Sequence, residues 1–130
     1  MISPLLVVCR KTPAQVASDL REAAKRIIKR GFAKQYRHAG QCAVKNGFAE
    51  RVGAVCLLGA FEATKTRFAE EHCPQALNVL AKFLPKSLGE TSVGGVITRW
   101  NNAPERTKKD VLQVLLTTAE KVEAGILSVL

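Results

Sequence analysis

The chain has 130 residues, 47% hydrophobic and 24% charged, a balance that suits one globular domain, residues 1–130, and excludes a disordered or low-complexity chain. Its net charge is +9, and the excess is one-sided: residues 1–65 hold 12 Lys/Arg against 4 Asp/Glu, residues 66–130 hold 8 against 7. Charge of this kind speaks to partners and association rate, so the first half is expected to meet something acidic.

The chain opens on an apolar stretch, residues 2–8, which like residues 126–130 is too short to span a bilayer, and no basic leader precedes it. A cytoplasmic protein with no membrane partner is expected, with 1–11 and 126–130 as fraying ends or a surface for self-association into a homo-oligomer. The first helix signal is Thr12-Pro13-Ala14-Gln15: a capping threonine, proline at the first helical position and glutamine at the capping-box position, with Gly31 as the stop. Val16, Ala17, Leu20, Ala23, Ala24, Ile27 and Ile28 gather on one side of that helix. Arg21, Lys25, Arg26, Lys29 and Arg30 share the other with Asp19 and Glu22, as a docking face for phosphates or acidic protein, or as a solvated face.

Between residues 32 and 53 periodicity fails. Four glycines punctuate that region from Gly31 to Gly53, and Lys34, Arg37, His38, Lys45 and Arg51 extend the basic field, so a long irregular basic connection is expected. Phe32, Tyr36 and Phe48 are interleaved with the cations, compatible with base stacking but more often the pattern of rings that pin a loop to the core. Residues 54–71 read as a second, enclosed helix, with Leu57, Phe61, Thr64 and Phe68 on its stripe and Gly59-Ala60 small enough for a neighbouring helix to approach. Pro74 opens a third helix ending near Leu84, residues 86–91 form a connection, and residues 93–100 make a short fourth. Thr107 caps the last, with Asp110 completing the box and Val111, Val114, Leu115, Thr118, Ala119 and Val122 on its apolar side. The fold class expected is therefore all-α, a compact bundle of about five helices.

Cys9, Cys42, Cys56 and Cys73 match no CxxC pair and no secreted disulfide framework, so reduced thiols are expected. A zinc site from His38, Cys42, His72 and Cys73 would need adjacent His72 and Cys73 to point at one ion, so no metal is expected. Cys56 near a helix start suits a nucleophile, but its neighbours Val55, Leu57 and Leu58 suit a buried inert thiol better. With no phosphate-cradling loop, metal motif or nucleophile elbow, neither a cofactor nor catalysis is expected.

Trp100-Asn101-Asn102-Ala103-Pro104-Glu105-Arg106-Thr107 resembles the carboxy-terminal signature of a family of small, uncharacterised bacterial and phage proteins, in which Trp-Asn-Asp/Asn-x-Pro-x-Arg-Thr precedes an apolar helix. Cys56-Leu57-Leu58-Gly59-Ala60 is similar to that family's central helix, while Phe32 departs from its usual Gly-Trp. The resemblance implies a compact helical fold and no established activity. The residues themselves suit a corner: an asparagine in the left-handed conformation, Pro104 stiffening the bend, Trp100 anchoring it and Arg106 bonding loop carbonyls or a carboxylate, or else a polar binding surface.

The function these features suggest is a non-enzymatic binding or regulatory protein of phage or mobile-element origin, docking on an acidic protein or nucleoprotein complex through Arg21, Lys25, Arg26, Lys29, Arg30, Lys34 and Arg37. The alternative is a nucleic-acid binder using the same residues on phosphates, and a lesser one is a cysteine-dependent enzyme.

Overall fold

The computed structural model of the chain describes residues 11–62, 68–85 and 92–127. Among them it is all-helical, with two isolated bridges and no strand. The helices are α1 Pro13–Arg30, α2 Gln41–Lys45, α3 Leu57–Ala60, α4 Ala69–His72, α5 Pro74–Phe83, α6 Val93–Asn102 and α7 Lys108–Glu123. Four are long and three are about one turn each. None of the helices described is long and apolar enough to cross a membrane.

Local chemistry starts the two longest helices as the sequence reading expects. Thr12 Oγ1 accepts from Gln15 N while Gln15 returns a bond to Thr12 N, and Thr107 and Asp110 repeat the exchange at α7. Each box satisfies two of the donors that a helix start leaves orphaned. α1 stops at Gly31, whose φ of +100° suits glycine and whose missing Cβ leaves room for the Glu50 carboxylate, 2.8 Å from where that carbon would sit. α1 and α7 pack against each other over most of their lengths, burying Val16, Leu20, Ala23 and Ile27 of one and Val111, Leu115, Ala119 and Val122 of the other. They run antiparallel: Arg21 reaches Glu123 at the end of α7, while Lys108 at its start bonds Glu50 beside the end of α1.

The expected helix over residues 54–71 is not formed as such. Val55 is extended, donating to Gly31 O and accepting from Ala33 N, and Cys56 N donates to Tyr36 O; among the described residues of that span, Leu57–Ala60 make one turn of helix and a separate turn begins at Ala69. Every residue from 54 to 62 is buried, and a run buried on all sides has no periodicity to separate strand from helix. Phe68 is exposed rather than on a core stripe, and Thr64 lies outside the described residues, as do the connection expected at 86–91 and most of the two chain ends.

The 32–53 connection is more ordered than expected. It holds α2, bridges from Phe32 to Val55 and from Ala33 to Ala49, and a small second core of Ala33, Ala39, Ala43 and Ala54 under Tyr36 and Phe48. Tyr36 and Phe48 meet at 6.2 Å and Phe32 enters the main core, so the three rings hold the connection down.

Candidate functional site

The seven cations expected to form one docking face are divided by the fold. Arg21 forks onto Glu123, with Nη1 at 2.7 Å. Arg26 reaches across to the Ala60 carbonyl at 2.9 Å, tying α1 to α3. Lys34 Nζ donates to the carbonyls of Ala103 and Pro104 at 2.7 and 3.1 Å. Arg37 enters a polar knot. Of the seven only Lys25 and Lys29 are exposed, Lys25 with Glu22 at 3.2 Å, and Arg30 beside Lys29 is half-buried.

The centre of that knot is Glu62, whose side chain is 3% exposed. One carboxylate oxygen accepts from Arg37 at 2.7 Å and from Ala69 N at 2.9 Å; the other lies 2.7 Å from His38 Nε2. Arg37 also forks onto Glu70, and its guanidinium lies 5.3 Å from the centre of the Phe68 ring. The bonds from Glu70 raise Arg37 and the same pair lowers Glu70, so both stay charged at neutral pH. A buried carboxylate is tolerated here because each of its oxygens has partners. The knot fastens the 33–39 loop to α3 and α4.

The Trp100–Thr107 segment is a second hub. α6 runs through Asn101 and Asn102, so neither adopts the left-handed conformation expected of them; that conformation belongs to Gln35, φ +68°. Asn101 is buried, accepting from Leu57 N at 3.0 Å and donating to Ala33 O at 3.2 Å. Asn102 accepts from Gln35 N at 2.8 Å and so holds that strained residue in place. Arg106 lies 3.8 Å from the centre of the half-buried Trp100 ring and donates to the Trp100 carbonyl. These residues join three separate stretches of chain.

Beside this hub, Gln35, Arg37, Cys56, Thr98 and Asn102 line a small cleft of about 140 Å³. Burial pushes the Cys56 thiol up despite N–H groups of Leu58 and Gly59 directed at it, an environment that disfavours the thiolate. Cys73 is likewise pushed up by burial, to about 11, and Cys42 is exposed. No group of three His, Cys, Asp or Glu among the described residues is placed to hold a metal ion. Cys9 lies outside them.

The exposed positive surface therefore sits elsewhere than expected in part. At the end of α1, Lys29 and Arg30 are joined by Arg51, whose Nη2 donates to the Lys29 carbonyl at 3.0 Å, and by Lys108 on Glu50. Burial pushes Glu50 up, but the Phe32 N–H and Lys108 outweigh it and lower it. Among the described residues Lys29, Arg30 and Arg51 make no ion pair, though Arg51 lies close enough to Glu50 to help lower it. Arg51 and Lys108 were not among the expected face; Gly31 and the antiparallel return of α7 bring them to it. Lys25 lies about one turn back along α1.

Residues 11–121, most of the chain, match the sequence model of a family of unknown function, DUF6197. No curated protein and no solved structure matches.

Proposed function

The chain belongs to this family of unknown function, and we propose that it is a small binding or regulatory protein that docks on an acidic protein or nucleoprotein complex through the end of α1. One observation carries the reading: Lys29, Arg30 and Arg51 converge there, none in an ion pair among the described residues and Arg51 beside the Glu50 carboxylate, with Lys25 close behind, in a chain of net charge +9. Cations at the end of a helix complement its dipole, which accounts for Lys29 and Arg30 locally, but not for the arrival of Arg51 from another segment. Together they make a patch whose field hastens encounter with an acidic surface. The protein acts by occupancy rather than chemistry, and a phage or mobile-element origin fits a compact basic module of this size.

Polyglutamate, mixed-sequence DNA and RNA, titrated between roughly 50 and 200 mM salt, test this. Polyglutamate binding that is lost in a Lys25→Glu, Lys29→Glu, Arg30→Glu, Arg51→Glu variant of unchanged helicity is expected. Unchanged binding sinks the docking face. Binding to nucleic acid alone, falling steeply with salt, replaces the reading with phosphate recognition through the same residues.

A further inference from the structure

The outward face of α7 carries Lys108, Leu112, Leu116 and Glu120 at intervals of four, and α7 presents an open groove of about 740 Å³ lined by these residues with Lys109, Gln113 and Thr117. Leu116 is 42% exposed and Leu112 is half-buried. Lys108 is held on Glu50, so Lys109 beside it supplies the cation, and the order along the helix is cation, leucine, leucine, anion. Reversed, it is its own complement.

We infer that this face is closed by the same face of a second copy of the chain, with the two α7 helices antiparallel about a two-fold axis near residue 114. An isologous contact of this kind makes each pairing twice. Leu112 meets the partner's Leu116, and Lys109 meets the partner's Glu120. Ridges formed by residues four apart interdigitate when helices cross at about −50°, an angle at which the two ridges run parallel, so the charged ends stay within reach while the leucines pack at the centre.

Two further facts favour a second copy over other occupants. Lys109 stands in the first turn of α7 and Glu120 in the last, each at the end where the helix dipole opposes its charge; Lys109 acts on Asp110 and Glu120 on Arg21 only at a distance, and among the described residues neither makes an ion pair. An antiparallel copy gives both of them a direct partner at once. The chain's own apolar start, residues 1–10, holds no Asp or Glu and offers Lys109 nothing. An acidic helix from another protein would pair Lys109 but not Glu120. This inference shares only Lys108 with the patch at the end of α1, and Lys108 takes no part in the pairing.

Sedimentation equilibrium of the full chain from about 10 to 500 μM tests it. The expected mass rises from 14.1 kDa towards twice that value. Leu116→Glu, and the milder Leu116→Gln, should weaken association at least about tenfold with helicity unchanged, since both alter a central apolar contact. Lys109→Glu alone should weaken it too, and Lys109→Glu with Glu120→Lys should restore it. A monomer throughout, or a dimer indifferent to both Leu116 variants, overturns the proposal; failure of the charge swap to rescue Lys109→Glu overturns this register.

Discussion

Gly59→Ala gives the sharpest test of how α3 is seated. A Cβ built on Gly59 falls 1.9 Å from the Arg37 carbonyl oxygen, 2.7 Å from its carbon and 2.9 Å from the Arg37 Cα. Ordinary contact begins near 3.4 Å, so backbone must retreat by about 1.5 Å. It has little freedom to do so. Cys56 N is bonded to Tyr36 O, Ala39 N to Ala54 O, and the Arg37 side chain to Glu62, all across the same junction. Alanine in place of glycine inside a helix is otherwise favourable by about 1 kcal/mol. Overpacking costs about 1–3 kcal/mol where side chains can yield, and a backbone contact belongs at the upper end, so a net loss of about 2 kcal/mol is expected. With a urea m-value near 2 kcal/mol/M, the unfolding midpoint should fall by about 1 M. A Gly59→Ala protein as stable as the parent, or more so, would refute the close approach of α3 to the 33–39 loop.

Glu62→Ala removes one acceptor of Arg37, which keeps Glu70, and the acceptor of the buried Ala69 N–H, and should cost about 2–3 kcal/mol in urea unfolding, with Glu62→Gln costing less; a loss below about 1 kcal/mol in the alanine variant would show the knot to be dispensable. In thiol labelling of the native protein at pH 8, with Cys9 replaced by serine, Cys42 should react rapidly. Cys56 and Cys73 should lag, Cys73 carrying about a hundredfold less thiolate than an ordinary cysteine in addition to its burial, and equal rates at all three would contradict the environments described.

The features legible in the residue order are those whose causes lie within a few positions of one another. The boxes Thr12–Gln15 and Thr107–Asp110 close over three residues, Pro74 opens α5 where it stands, and the apolar stripes of α1 and α7 repeat within each turn, so an all-α fold and its long helices could be read directly. Gly59 was legible as a point of close approach, but what approaches is the Arg37 backbone rather than a helix. The fate of residues 54–62 was not legible, because their hydrogen-bond partners at Gly31 and Tyr36 are about twenty residues away and complete burial erases any period. Charge follows the same division. That the first half is basic is a property of composition. Which cations stay exposed depends on acceptors far along the chain: Glu123 for Arg21, Ala60 for Arg26, Ala103 for Lys34, and Glu62 with Glu70 for Arg37. Packing α7 antiparallel on α1 set the first of these distances and carried Lys108 towards the end of α1, while the return of residues 54–62 and 101–103 set most of the others, because a side chain bonds whatever acceptor the folded backbone brings within about 3 Å.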